Sequence, residues 1–375
     1  MIEALQNLLQ QTVYGIQIGS IYALIAVGYT MVYGVLKFIN FAHGDVYMVG
    51  AYAGLGAANI GMATVLGGSM AAFLHTATLV PSWLGAILVL LAAMLLCALL
   101  GLVIEQAAYR PLRTRAWIAP AVFLGAAVGY VAYEIALNSD RTPASSVAIG
   151  VIAWAALAAL LFTTQKRRTT GSASRLTALI TAIGVSLFIE NFGVLKQVFS
   201  SEPRFFPPLV ALSPAVENAL IFGVSLTLMV ALTFIVTRTR VGKAIRAVSF
   251  DADAAALMGI NTDRVIAFTF MLGAALAGAA GVLVFGLQHT HFDPYVGILY
   301  GLKAFVAAVL GGIGNIPGAV LGGIIMGLAE TLVVAYGPRI GIDSAYRDAV
   351  AFLLLIVILL FRPAGLLGTF APEKV

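Results

Sequence analysis

Trp83-Leu-Gly-Ala-Ile-Leu-Val-Leu-Leu-Ala-Ala-Met-Leu-Leu-Cys-Ala-Leu-Leu-Gly-Leu-Val-Ile104 runs without a single charged side chain. A helix of that length rises ~33 Å at ~1.5 Å per residue, enough to cross the ~30 Å hydrocarbon core of a bilayer. Apolar residues do not alternate with polar ones here, so the run does not read as a barrel strand. Similar windows recur along the chain, at about 12–35, 40–60, 117–137, 145–164, 176–198, 218–237, 265–287, 297–314, 317–336 and 346–362. Residues 61–80 are rich in Gly and Ala and fit either a short span, a re-entrant piece or an outer loop.

The composition agrees with these windows. Of 375 residues, 61% are hydrophobic and only 10% are charged. A soluble domain of this length needs a charged surface that this chain lacks. The expected fold is an all-α polytopic membrane protein of about ten to twelve spans, one membrane domain over residues 1–375. Cys97 is the one cysteine, so no intrachain disulfide forms. The first residues lack a basic n-region and a small-residue cleavage site, and no removable signal is expected.

Positive charge orients the spans. Arg110, Arg113 and Arg115, then Lys166, Arg167, Arg168 and Arg175, then Arg238, Arg240, Lys243, Arg246 and Arg264, and finally Arg362 and Lys374 cluster at alternate span ends. Placing these clusters in the cytoplasm satisfies the positive-inside bias from residue 83 onward and leaves the C-terminus inside. The Pro-rich stretch 199–217 is then an outer, semi-rigid segment.

One polar loop interrupts the apolar runs: Thr237-Arg-Thr-Arg-Val-Gly-Lys-Ala-Ile-Arg-Ala-Val-Ser-Phe-Asp-Ala-Asp-Ala-Ala-Ala-Leu-Met-Gly-Ile-Asn261. Ile245, Val248, Ala252, Ala255, Ala256 and Gly259 recur at helical spacing and make a small apolar face. The pattern suits a short helix seated in a groove of another protein, or equally one lying on the membrane surface. Gly242-Lys243 is not a phosphate loop, because Ala244 and Thr237 occupy positions that the motif assigns to Ser/Thr and Gly. No catalytic constellation and no cofactor motif is present.

Gly19-Ser-Ile-Tyr-Ala-Leu-Ile-Ala-Val-Gly-Tyr-Thr-Met-Val-Tyr-Gly34, followed by Ile39-Asn-Phe-Ala-His-Gly-Asp-Val-Tyr-Met-Val-Gly-Ala-Tyr52, resembles the permease subunits of branched-chain amino acid ABC importers of the LivH type. So do Ala107-Ala-Tyr-Arg-Pro-Leu-Arg113, Gly259-Ile-Asn-Thr-Asp-Arg-Val-Ile-Ala267 and Gly301-Leu-Lys-Ala-Phe-Val-Ala-Ala-Val-Leu-Gly-Gly-Ile-Gly-Asn-Ile-Pro-Gly318. The resemblance covers about 11–113 and 175 to the end. Residues 116–174 look like an inserted two-helix hairpin, which leaves the orientation of later spans unchanged.

The resemblance implies an ABC importer permease with broken or re-entrant helices in a prokaryotic inner membrane. Its partners would be a second permease of the same superfamily, two ATPase subunits and an extracytoplasmic solute-binding protein. It assigns ATPase coupling to the cytoplasmic loop 238–264, with Arg246, Ala247, Asp251, Ala255 and Gly259. Asn40, His43, Asp45, Glu190, Asn191 and Lys303 are the candidate residues of the translocation path, because polar groups inside spans avoid lipid and face the bundle interior. His289, His291 and Asp293 offer too few ligands in one loop and read as a polar outer segment, with no metal expected. A urea or short-chain amide permease of the same superfamily and an ion-coupled secondary amino acid transporter are the alternative functions.

Overall fold

The computed structural model describes residues 2–59, 82–114, 152, 175–195, 198–206, 213–288, 291–341 and 343–368. The helices are α1 (Ile2–Leu36), α2 (His43–Asn59), α3 (Ser82–Ile104), α4 (Arg110–Thr114), α5 (Arg175–Val194), α6 (Pro214–Arg238), α7 (Arg240–Phe250), α8 (Ala252–Leu257), α9 (Thr262–Gln288), α10 (Val296–Gly311), α11 (Ile316–Tyr336) and α12 (Arg347–Phe361). Five of the helical stretches are long and apolar enough to cross a membrane, and 178–194 and 296–311 are shorter apolar helices. The chain is therefore an all-α polytopic membrane protein. Apart from Ile152, the spans expected at 117–137 and 145–164, and the segment 61–80, lie outside the described residues.

Two compact units divide the chain, one of Met1–Gly101 with Ile183–Val375, the other Leu102–Ala182. The second begins within the last turn of α3, which continues through a π turn, Glu105–Tyr109, into α4. Pro111 has no N–H to give the carbonyl four residues before it, and the π turn lies where that bond is missing.

In the first unit α1 is the central helix. Residues 21–27 of it are almost wholly buried. It packs mainly on α11, with α9, α10 and α6 around it. Small residues make the close crossing possible: Gly15, Gly19 and Ala23 of α1 face Gly323, Gly327 and Leu328 of α11, backbone against backbone. Small residues four apart let helices approach in lipid, where packing replaces the hydrophobic effect as the source of association. The outward faces of α3, α6 and α12 carry Leu91, Leu95, Val230, Phe234, Leu353 and Leu360, all exposed, as a lipid-facing surface demands.

Helix α2 is the broken element. Lys37, with φ of 58°, turns the chain back after α1. His43 then starts α2 beside Gly28 and Gly273, with its ring 4.7 Å from that of Tyr29. Gly28 lies about two turns before the end of α1, so α2 begins ~12 Å inside the bundle. From there α2 runs parallel to α9, Gly50 against Gly278 and Gly54 against Val282.

Helices α10 and α11 form a tight hairpin about the Gly-Asn-Ile-Pro-Gly turn, residues 314–318. Gly312 and Gly314 have φ of 106° and 95°, a region closed to most side chains. Asn315 caps α11 by accepting from the Gly318 N–H at 3.2 Å, and Pro317 occupies the first turn. The two-residue strand β1 (Arg204–Phe205) pairs antiparallel with β2 (His291–Phe292).

Candidate functional site

Three groups of side chains stand out in the first unit. The first surrounds the start of α2. Asp45 is 1% exposed, and the Ser186 hydroxyl of α5 donates to its Oδ2. Its Oδ1 is buried without a hydrogen-bond partner. A side chain on Gly297 would come within 3.1 Å of that oxygen, so Oδ1 points at the first turn of α10. Glu190 is buried one turn along α5 from Ser186 and acts electrostatically on Asp45. His43 is buried, and its Nε2 also has no partner. Asn40 is buried in the preceding turn. Asn191 instead lies on the exposed face of α5, its amide donating to Leu187 O at 2.7 Å.

The second group is a charge-balanced cluster joining four helices. Lys303 of α10 is 2% exposed and contacts Glu330 of α11, and its Nζ lies 2.6 Å from Asp348 Oδ1 of α12. Arg347 Nε donates to Glu330 Oε1 at 2.7 Å, and the Tyr22 hydroxyl of α1 donates to Oε2 at 2.6 Å. Sequence reasoning placed Lys303 in the interior but missed Glu330, Arg347, Asp348 and Tyr22 as its partners. An acidic residue inside the apolar run 317–336 was the available signal. Beside this cluster an aromatic row extends outward: Tyr22 with Tyr300, Tyr300 stacked on Tyr47 at 5.0 Å, then Phe285, Phe292 and Tyr52.

The third group is the polar loop 238–264. Thr239 caps α7 by accepting from Gly242 N at 3.1 Å, and Gly242 lies so close to the Val236 carbonyl that a side chain would not fit. The Arg246 guanidinium donates to that same carbonyl, satisfying one of the acceptors left open at the end of α6. Ser249 Oγ donates to Gly34 O at 2.6 Å and ties α7 to the end of α1. Asp251 caps α8, accepting from Asp253 N and Ala254 N at 3.0 and 2.9 Å. Gly259, with φ of 84°, ends it, and Ile260 N returns to Ala255 O.

Most of the anticipated coupling residues thus shape the loop. Arg246 and Asp251 hold its ends, Ala255 is buried, Ala247 is half-buried and Gly259 makes the turn. The small apolar face divides: Ile245, Val248 and Ala255 pack inward, whereas Ala252, Ala256 and Gly259 are exposed. The large apolar side chains left to solvent are Phe250 (95% exposed), Leu257 (89%) and Met258 (83%).

His289 lies outside the described residues. Phe205 pairs with His291, and Asp293 Oδ1 accepts from Tyr295 N at 2.8 Å, so that carboxylate serves the local turn. Among the described residues no cluster suits a metal ion.

The family described as "Branched-chain amino acid transport system / permease component" matches residues 11–146 and 118–359. The chain belongs to this family. It is 37% identical, over the full length of both proteins, to the high-affinity branched-chain amino acid transport system permease protein LivH of Salmonella typhimurium. The same comparison gives 36%, again over the full length of both, with LivH of Escherichia coli K12. With the permease protein BraD of Pseudomonas aeruginosa it gives 37% over 98% of each chain. These relatives are transport permeases.

Proposed function

We propose that this chain is the membrane-spanning permease subunit of an ATP-driven importer of branched-chain amino acids. The observation that carries the reading is its full-length similarity to permeases named for that transport system. The loop 238–264 supports the ATP-driven part. It is built by internal caps onto the ends of α1 and α6, yet it presents Phe250, Leu257 and Met258 to solvent. Exposed large apolar groups on a rigid loop mark a protein-binding surface. Their partner is an ATPase subunit, because the chain has no phosphate-binding loop of its own.

The working complex pairs this permease with a second one of the same superfamily, two ATPase subunits and an extracytoplasmic binding protein. It sits in a prokaryotic inner membrane with the C-terminus in the cytoplasm. Closure of the ATPases pushes the loop, and Arg246 and Ser249 transmit the push to α6 and α1. The halves then rock to alternate access to a path along Asn40, His43, Asp45, Glu190, Asn191 and Lys303.

The test is reconstitution of the whole complex in sealed vesicles with ATP inside and labelled leucine and binding protein outside. Uptake should continue after the proton and sodium gradients are collapsed. Uptake that stops with the gradient, or proceeds with this chain alone, would establish the ion-coupled alternative instead. Leu257→Glu should abolish leucine-coupled ATP hydrolysis while insertion in the membrane persists. Full transport by that variant would sink the docking assignment. Ala255 is a less clean target, because it is buried and a bulky charge there would disturb the loop itself.

A further inference from the structure

We infer that Asp45, with Glu190 beside it, is the point on the path that receives the ammonium group of the amino acid in transit. The inference rests on the importer reading above and adds to it the chemical group recognised and the atom that recognises it.

Charge accounting carries the argument. Every buried ion needs a counter-charge or a full set of hydrogen bonds. Lys303 has its counter-charges in Glu330 and Asp348, and Arg347 has Glu330. Asp45 and Glu190 are buried acids with no basic partner among the described residues. One oxygen of Asp45 is satisfied by Ser186, and the other is unpartnered and fully enclosed.

Local structure partly compensates. Oδ1 faces the first turn of α10, whose helix dipole supplies roughly half a positive charge. It brings that oxygen no hydrogen-bond donor. What Oδ1 lacks is a donor, and a compact cation with several N–H groups supplies one together with charge; an α-ammonium group has three.

The surroundings fit such a visitor. Gly44, Gly297 and Gly301 line the contact between α2 and α10 with no side chains. Oδ1 is therefore covered on that side by glycine backbone and not by a side chain. Ser186 and Glu190 lie on α5, whose neighbouring residues Leu187 and Asn191 are exposed. Glu190 is one turn from Ser186 on α5, so an ammonium group held at Asp45 also lies in the field of Glu190. An ammonium passed between two carboxylates is never left unpaired, and neither contact need be tight.

The test uses the complete importer in vesicles and compares wild type, Asp45→Asn and Asp45→Glu. The readout is leucine delivered per ATP hydrolysed. Asn keeps the shape and the Ser186 contact but removes the charge, so delivery per ATP should fall by about tenfold or more, the loss expected when a charged hydrogen bond disappears. Glu, which keeps the charge, should recover part of it. Unchanged delivery by Asp45→Asn would overturn the inference, since Asn mimics a carboxyl occupied by a proton. Equal loss in Asp45→Asn and Asp45→Glu, with ATP hydrolysis lost in step, would assign Asp45 to packing and overturn it as well. A wild-type complex that takes up no leucine would refute the importer reading itself.

Discussion

Replacing Lys303 with methionine removes one of four charges in the cluster on α10, α11 and α12. Wild type holds two cations, Lys303 and Arg347, against two anions, Glu330 and Asp348. K303M leaves two anions facing one cation, with Glu330 still buried. Breaking a buried pair by deleting one partner destabilises by about 3–5 kcal/mol. Asp348 and Arg347 are 46% and 44% exposed, so water screens part of the imbalance. That screening places the expected loss near the lower end, about 3 kcal/mol. E330Q should destabilise for the mirror-image reason, leaving Lys303 and Arg347 against Asp348 alone. The double variant keeps only Arg347 and Asp348, a balanced pair at the rim, and should lose far less than the sum. The pairwise coupling should be at least about 2 kcal/mol. Reversible unfolding in mixed detergent micelles, followed by helical ellipticity, measures all four corners of the cycle. Single variants that each lose under about 1 kcal/mol, or a strictly additive double, would refute the charge-balance argument.

Gly323→Val should prevent assembly of the first unit, because the added side chain would meet the Ala23 backbone of α1. Size-exclusion recovery of folded protein checks it, and near-normal recovery would mean that the α1–α11 crossing is looser than it looks. A cysteine at Ser139 or Thr142 should react with impermeant thiol reagents only from the outer face, since the one native thiol, Cys97, is buried. Labelling from the cytoplasmic side alone would rule out the hairpin proposed for 117–137 and 145–164. Deleting 117–164, with the joining loop kept, should spare complex formation measured by co-purification. Ser249→Ala removes the bond to Gly34 O and should lower transport per ATP more than membrane insertion. Unchanged coupling would show that α7 does not drive α1.

Spans within the described residues were readable from the chain because each is a local sum. A run such as 83–104 reports its own transfer free energy whatever surrounds it, and α3 occupies Ser82–Ile104. The turn at 312–317 was equally legible, since Gly312, Gly314 and Pro317 act through their own backbone limits. Partnership was not readable. Lys303 meets Glu330 and Tyr22 meets Glu330 only because α1, α10, α11 and α12 cross where they do, across 27 and 308 residues of sequence. The periodicity in 245–259 revealed an apolar face but not what covers it. Packing of α7 on α1, α6 and α9, and of α8 on α7 and α9, turned Ile245, Val248 and Ala255 inward and left Phe250, Leu257 and Met258 exposed. The unpartnered oxygen of Asp45 is also a tertiary fact. Sequence places a carboxylate near a broken helix, and only the convergence of α2, α5 and α10 decides which of its oxygens is left waiting for a donor.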